Sequence, residues 1–256
     1  MIAMPSVVLE AEGLVKRYGG VEALRGANFQ VRAGEVVALI GDNGAGKSTL
    51  VKCLSGAEQP DGGRILLDGE PVRMGSPVAA RRLGVETVYQ DLAVAPDLDP
   101  AANLFLGREL FRRGIRGRIG MLDRKTMKTQ AAEHFRRLGV TLPRDDVPIG
   151  ALSGGQRQTV AVARAVMWAS KVVFMDEPTA ALGVVQRERV LEVIGRVRDQ
   201  GIAVVLISHN MPEVLSVADR IEVLRLGRRV ARFDSEATLG QLVGAMTGAL
   251  NTEDAA

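Results

Sequence analysis

The sequence predicts an α/β fold built on a parallel sheet, and two observations support this prediction. First, the apolar runs at residues 36–40, 172–175 and 202–207 have the continuous character of strands that are buried on both faces. Second, segments with helical periodicity accompany them, as at residues 157–169 and 190–197. Alternating strands and helices are typical of a parallel sheet covered by helices. Functional side chains are then expected where the strands end, at the carboxyl edge of the sheet.

The predicted strand at residues 36–40 leads into a loop that fits a phosphate-binding pattern. The loop consists of Gly41, Asp42, Asn43, Gly44, Ala45, Gly46, Lys47 and Ser48. Glycines are needed where a Cβ would keep backbone N–H groups away from a polyphosphate. A helix beginning near Thr49 would add unpaired N–H donors and a partial positive charge. We therefore predict an ATP site in which Lys47 contacts the β- and γ-phosphates and Ser48 ligates Mg²⁺, rather than a glycine-rich turn with an exposed lysine.

Two adjacent carboxylates follow the strand at residues 172–175. Asp176 is predicted to hold Mg²⁺, and Glu177 to polarise the water that attacks the γ-phosphate. The alternative is a pair of capping acids before a turn, which the upstream phosphate loop disfavours. His209 follows the strand at residues 202–207. A histidine at a strand end is more often structural, but here it could reach the γ-phosphate from the same sheet edge.

A second glycine-rich segment precedes the helix at residues 157–169. It consists of Ser153, Gly154, Gly155 and Gln156. Ser153 is a favourable N-cap, and the two glycines leave backbone N–H groups uncovered, so this helix end could receive an anion. Taken alone, the segment is a common turn.

Composition restricts the class of protein. With 256 residues, of which 25% are charged and 46% hydrophobic, the chain has the composition of a globular protein with a substantial core. The formal net charge of +3 does not demand a nucleic-acid partner, and none is predicted. The N-terminal residues do not resemble a secretory signal, and no apolar stretch approaches the roughly 18 residues of a spanning helix. We expect a cytoplasmic protein that reaches a membrane only by docking on another protein.

Two single residues have more than one interpretation. Tyr18 lies in a turn-rich segment, where it is either a surface residue or a platform on which an adenine stacks. Gln90 ends a predicted strand at residues 85–89 and by itself would be a solvated strand terminus.

The middle of the chain differs from the rest. Residues 108–128 form its most basic part, and we favour a solvated face there over contact with a membrane partner or headgroups. Residues 91–151 are interpreted as a helical insertion into a single nucleotide-binding domain, whose core comprises residues 1–90 and 152–256.

Taken together, these motifs resemble those of the ATP-binding subunits of ABC transporters along nearly the whole chain. The segments that carry the resemblance are GDNGAGKST, YQD, LSGGQ, VVFMDEP and SHN, in that order. The resemblance implies a mixed sheet core with an antiparallel β subdomain and an inserted α-helical subdomain. It also implies that Tyr18 stacks on adenine and that Gln90 reaches Mg²⁺ while sensing a membrane subunit. Residues 153–156 would touch the γ-phosphate of ATP bound to a second cassette, and His209 would be a switch.

This family resemblance implies a mechanism and partners. Two cassettes would close head to tail over two ATP molecules, and hydrolysis would reopen the dimer. The cassettes would form a homodimer, or this chain would pair with a different partner cassette. They would lie at the cytoplasmic face of the inner membrane on permease subunits that receive solute from a binding protein. Two segments, GGVEALRGANFQV and ETVYQDLAVAPDLDPAANLFLGRE, are similar in sequence to the cassettes of monosaccharide importers of the ribose, xylose and fructose type.

Two departures and two alternatives accompany the resemblance. Many such importers fuse two cassettes, whereas this sequence has one phosphate loop, and Gly183 stands where the family generally has Asp.

A nucleotide kinase or GTPase would have no use for LSGGQ. A soluble ABC ATPase, such as one serving iron–sulfur assembly, would keep every ATP motif. The apolar residues 104–106 disfavour it, since they suit a groove for a permease helix.

Overall fold

The computed structural model describes residues 6–89, 93–142, 144, 146–180 and 182–249. Its strands are β1 (Val7–Tyr18), β2 (Val21–Arg32), β3 (Val36–Ile40), β4 (Gly62–Leu67), β5 (Glu70–Val72), β6 (Val85–Val88), β7 (Val172–Asp176), β8 (Ala203–Ile207), β9 (Arg220–Arg225) and β10 (Arg228–Asp234). Its helices are α1 (Lys47–Leu54), α2 (Pro77–Arg82), α3 (Pro100–Leu104), α4 (Ile115–Arg118), α5 (Arg124–Arg137), α6 (Gly154–Trp168), α7 (Val184–Asp199), α8 (Met211–Val217) and α9 (Leu239–Thr247).

The strands form two sheets. One is antiparallel, with the order β2-β1-β4-β5. The other has the order β10-β9-β3-β8-β7-β6, in which every pair from β9 to β6 is parallel and β10 adds an antiparallel edge. The predicted α/β fold, with its mixed sheet core and antiparallel sheet, is confirmed.

The parallel strands are buried on both faces, as their sequences require. In β7, Val172 and Phe174 belong to a core shared with α1 and the antiparallel sheet. Val173 and Met175 point the other way, into a core shared with α5, α6 and α7. The sheet therefore lies between two apolar layers, and its strand ends are left to carry polar residues.

The segment between β6 and β7 contains α3, α4, α5 and α6. Asp99 and Asp123 cap α3 and α5, accepting hydrogen bonds from the backbone N–H groups of Ala102 (2.7 Å) and Thr126 (3.2 Å). The apolar residues of α3 and α5 share one core with α6. Among the described residues, no helix has the length and apolar character needed to cross a membrane.

The structure differs from the sequence prediction in several details. Tyr18 is the last residue of β1 rather than part of a turn-rich segment, and β2, its antiparallel partner, was not predicted. Helix α1 begins at Lys47, two residues before Thr49. Leu104 and Phe105 are completely buried, because they pack into the core beneath α6, so most of the predicted apolar groove segment is unavailable to a partner.

Candidate active site

Three adjacent strands bring the predicted site residues to one edge. β3, β8 and β7 are neighbours and run parallel, so their carboxyl ends lie side by side. The phosphate loop follows β3, Ser208 and His209 follow β8, and β7 ends at Asp176. Segments that are more than 100 residues apart in the chain therefore converge, as expected for an open α/β sheet.

Two glycines of the phosphate loop are required by close backbone contacts. A Cβ on Gly41, whose φ is 150°, would lie 2.1 Å from the carbonyl oxygen of Leu224. A Cβ on Gly46, with φ 103°, would lie 2.7 Å from the carbonyl oxygen of Ala23. Any larger residue would push the loop away from β2 and β9. The loop shape thus depends on the antiparallel sheet as well as on its own sequence.

The loop presents donors and a cation. Asp42, Asn43 and Gly44 are exposed, whereas Ala45 is buried and its N–H donates to the Asp42 carbonyl (3.0 Å). No described side chain caps α1 and no acid lies in its first turn, so its N-terminal N–H groups are available to an anion. Ser48 and Thr49 lie in that first turn.

Lys47 is held over the loop. Its amino group donates to the carbonyl oxygens of Gly41 (2.6 Å) and Asp42 (3.0 Å). Burial lowers the pKa of the Lys47 amine, and the charges of Glu177, Asp42 and Asp176 oppose that change. These carboxylates face the amine closely enough to interact with it electrostatically. The Lys47 amine therefore donates to the phosphate loop and lies within electrostatic range of the carboxylates at the end of β7.

The carboxylates at the end of β7 have different surroundings. Burial raises the pKa of Asp176, the adjacent Glu177 raises it further, and Lys47 and Lys52 lower it. Two neighbouring negative charges in a half-buried position are stabilised by a cation, which makes this site suitable for a metal ion or another positive group.

Glu177 leaves the strand in an unusual backbone conformation. Its φ of 50° is in the left-handed region, which costs a non-glycine residue about 1 kcal/mol or more. The Glu177 N–H still donates to the Ile207 carbonyl of β8 (2.9 Å). This turn directs the carboxylate towards the loop after β8, where Glu177 Oε1 lies 2.8 Å from His209 Nδ1. The imidazole is largely exposed and the carboxylate is not. An acid–base pair thus lies at the sheet edge that also carries the phosphate loop.

One predicted contact lies further out. Tyr18 is 41% exposed at the end of β1, with the Lys16 ammonium 5.4 Å from its ring centroid. Tyr18 pairs with Val21 of β2. Two residues further along β2, the carbonyl of Ala23 lies against Gly46 of the phosphate loop. The Tyr18 ring therefore lies at the same end of the molecule as this loop. Gln90 is outside the described residues.

The second glycine-rich segment forms a capping box at the start of α6. Ser153 Oγ accepts from the Gln156 N–H (3.3 Å), and Gln156 Oε1 accepts from the Ser153 N–H (2.9 Å). Ser153 and Gly154 are exposed, whereas Gly155 is buried. Among the described residues, no hydrogen bond connects this helix end to the phosphate loop of the same chain.

A side chain that the sequence prediction missed lies beside Gly183. Gln186 of α7 occupies this space, because a Cβ on Gly183 would be 2.6 Å from Gln186 Oε1. A Cβ on Gly155 would be 2.5 Å from Gln186 Cγ. The amide of Gln186 therefore stands between the second glycine-rich segment and the loop after Glu177, near the position of the Asp that the family resemblance would place at 183.

A buried carboxylate, Glu213 of α8, was also missed. It accepts hydrogen bonds from Thr179 Oγ1 and from Asn210 Nδ2 (2.8 Å), and its Oε1 lies 2.8 Å from Arg187 Nε. Thr179 is two residues from Glu177, and Asn210 adjoins His209. Glu213 thus ties together the two loops that carry the acid–base pair. The only sequence signal was an Asn three residues before a Glu at a helix start.

Comparison with known proteins identifies the family. The family profile described as ABC transporter matches residues 24–180, which include the phosphate loop and both carboxylates. The chain belongs to the ABC transporter ATP-binding family. As a member of this family, the cassette binds and hydrolyses ATP.

Individual relatives agree with this assignment. The fructose import ATP-binding protein FrcA of Rhizobium meliloti is 53% identical to the cassette over 94% of each chain. The ribose import ATP-binding protein RbsA 1 of Rubrobacter xylanophilus is 43% identical over 94% of the cassette but 47% of its own length. The cassette therefore spans about half of that relative. A nucleotide-free ATP-binding cassette from an ABC transporter matches with a TM-score of 0.79 over 94% of this chain and 95% of its own, at 24% identity, which supports the fold.

Proposed function

We propose that the cassette is the ATP-hydrolysing subunit of an importer whose solute is a monosaccharide. The observation that carries the catalytic part is the 2.8 Å contact between Glu177 and His209, at the sheet edge that also bears Lys47. The import of a sugar is supported by the names of the fructose and ribose relatives. Neither relative supports the alternative of a soluble ATPase with a non-membrane partner.

The residues divide the chemistry of ATP hydrolysis between them. Lys47 and the first turn of α1 would bind the phosphates, and Tyr18 would stack on the adenine. Glu177 would polarise the attacking water, while His209 holds the carboxylate in place and reaches the γ-phosphate. The left-handed backbone of Glu177 supports this role, because it directs the carboxylate away from the strand axis.

The site also fits Mg²⁺. Asp176 and Ser48 would supply oxygen ligands, which this ion prefers, with Gln90 as a third. Among the described residues, no group of three His, Cys, Asp or Glu side chains could hold a metal ion by itself. Magnesium would accordingly bind together with the phosphates, and its charge would neutralise negative charge on them.

Residues 153–156 would act across a dimer. Ser153 and Gly154 are exposed at the start of α6 and have no hydrogen bond to the phosphate loop of their own chain among the described residues. Facing a second cassette, this helix end would provide N–H donors for the γ-phosphate on that partner. We propose a homodimer in which ATP closes two such contacts and hydrolysis opens them.

A groove between β6 and α6 would receive a membrane permease. The cavity measures about 310 Å³, and Tyr89 and Leu106 line it. Arg108 donates to Glu86 (2.6 Å) and lies 4.7 Å from the ring centroid of Trp168, so the groove has a charged wall as well as an apolar one. Its position beside β6, the strand that leads to Gln90, would connect the permease to the active site. The cassette would then lie at the cytoplasmic face of the inner membrane, with a solute-binding protein acting on the permease.

Co-purification from native membranes tests the proposal. The Glu177→Gln variant is expected to bind ATP and to accumulate as a closed dimer. Its rate of ATP hydrolysis should be at least about 100-fold lower than that of the parent chain. Tagged Glu177→Gln with ATP should retain a polytopic permease, whose associated binding protein identifies the sugar. The same variant without ATP, and Lys47→Ala with ATP, are the controls. Recovery of soluble partners alone would refute the transport role, and turnover at the parent rate would refute the assignment of Glu177.

A further inference from the structure

Residues 110–122, which we name the arginine loop, expose apolar side chains to solvent. Phe111 is 54% exposed, Ile115 79%, Ile119 72% and Met121 42%. Large apolar side chains at a protein surface are common singly, but four within eleven residues form a patch, and such patches mark interaction sites.

The loop has a defined base. Phe111 and Leu122 form an isolated antiparallel bridge. The N–H of Arg112 donates to the Met121 carbonyl (2.9 Å), and the N–H of Asp123 donates to the Leu110 carbonyl (2.7 Å). Leu110 packs against the core around α5 and α6, and Asp123 caps α5. The exposed isoleucines are therefore carried on an anchored projection, with the single turn of α4 at its tip.

The charge of the loop has one sign. It contains Arg112, Arg113, Arg116 and Arg118 and no Asp or Glu, whereas the whole chain has a formal net charge of only +3. Within the described part of the chain, no ion pair involves Arg112, Arg113 or Arg118. Unlike an ordinary solvated face, where both signs are mixed, the loop offers guanidinium groups to anions and interleaves them with apolar side chains.

We propose that the arginine loop binds the surface of a bilayer that contains anionic phospholipid, with its arginines on the phosphate headgroups and Ile115 and Ile119 inserted between them. Charge complementarity favours this occupant, because an anionic bilayer offers phosphates and an apolar layer a few ångströms apart. The loop also follows directly on Leu106 and Arg108, which line the groove beside β6. A cassette docked there on a permease would hold the loop near the same membrane.

Vesicle binding by the purified full chain tests this proposal without any permease, so its failure is distinct from failure of the proposed transport role. The chain should sediment with phosphatidylcholine vesicles that contain phosphatidylglycerol, and not with phosphatidylcholine alone. Because each arginine near an anionic surface contributes roughly fivefold to partitioning, Arg113→Glu/Arg118→Glu should reduce binding about 25-fold or more. The effect should weaken at high salt.

The matched control changes the same charge elsewhere. Arg73 and Arg228 are exposed; Arg73 follows β5, the edge strand of the antiparallel sheet, and Arg228 begins β10. Arg73→Glu/Arg228→Glu should bind vesicles like the parent chain. Equal losses in the two double variants would show that net charge alone drives binding and would overturn the proposal, as would the absence of binding to anionic vesicles. Both variants should retain ATP hydrolysis in solution, which confirms that they fold.

A fluorescent label tests the insertion. Cys53 is completely buried and burial raises its pKa to about 11, so a cysteine placed on the surface can be labelled selectively. An environment-sensitive dye on Ile119→Cys should shift to the blue with anionic vesicles. The same dye on Leu239→Cys, an apolar position on α9 that is also exposed, should not shift. An unshifted spectrum at position 119 would refute the insertion of the isoleucines.

Discussion

Removal of the Glu213 carboxylate should separate ATP binding from ATP hydrolysis. Glu213 is only 6% exposed, yet in the part of the chain that the structure describes none of its hydrogen bonds or ion pairs reaches the phosphate loop. Its hydrogen bonds hold Thr179 and Asn210, which flank the loops of Glu177 and His209. In the variant Glu213→Ala, the acid–base pair should lose its alignment while Lys47 and the first turn of α1 remain in place.

The size of the effect follows from the contacts that are lost. Hydrogen bonds to a charged group contribute about 1.5–3 kcal/mol each, and Glu213 accepts two. The ion pair with Arg187 adds less than a buried pair would, because the Arg187 side chain is 35% exposed. Allowing for water that enters the space, we expect Glu213→Ala to lower the free energy of unfolding by about 3 kcal/mol. In a chain of this size, that corresponds to a fall of roughly 6–12 °C in the melting temperature.

Steady-state kinetics and thermal unfolding provide the assay. Measured well below its melting temperature, Glu213→Ala should show a kcat at least about tenfold lower with little change in KM for ATP, since a displacement of about 1 Å at a catalytic group suffices for such a loss. Glu213→Gln, which keeps one acceptor and the side-chain shape, should fall between the alanine variant and the parent. Glu188→Ala, which removes an exposed carboxylate from α7, is the control.

Two outcomes would refute this reasoning. If Glu213→Ala melted within about 2 °C of the parent and kept its kcat, the buried network would not hold the two loops. If KM for ATP rose in proportion to the loss of kcat, the carboxylate would instead support the whole nucleotide site.

Residues with a local sequence pattern could be placed before the structure was available. The phosphate loop follows a strand at a fixed spacing, and Asp176 and Glu177 follow another, so their position at one sheet edge needed only the rule for parallel strands. The helix start at Ser153 was predictable for a similar reason, since the N-cap and its partner Gln156 are three residues apart.

Other features depend on contacts between distant segments. Glu213 and Thr179 are 34 residues apart, and no spacing rule relates them. The burial of Phe105 follows from its contact with Trp168, whose ring centroid is 5.6 Å away, and from the core beneath α6. Strand β2 was missed because the glycine at position 26, with φ 84°, interrupts its apolar pattern. The strand continues past this glycine because it pairs with β1. Tertiary packing, rather than the local secondary-structure propensity of the residues, determines each of these three features.

Two further predictions concern the phosphate loop and a half-buried histidine. Gly46→Ala would place its Cβ 2.7 Å from the Ala23 carbonyl oxygen, whereas a Cβ on Gly44, which also has a positive φ, would meet open space. An ATP titration should therefore show a greater loss of ATP affinity for Gly46→Ala than for Gly44→Ala. Equal losses of affinity would mean that the backbone conformation alone matters. Burial lowers the pKa of the His134 imidazole, and the nearby Arg137 charge acts in the same direction. The hydrogen bond between Nε2 and the Ala163 carbonyl (2.8 Å) opposes burial only in part. Because the unfolded chain then binds the proton more readily, the stability that neutral His134 provides is fully present above about pH 6.5 and is lost as the pH falls through the lower folded-state pKa. Urea unfolding of His134→Gln between pH 7 and pH 5 should therefore show a shallower decline than the parent, by up to about 1.4 kcal/mol per pH unit, and parallel declines would show that His134 is not the titrating group.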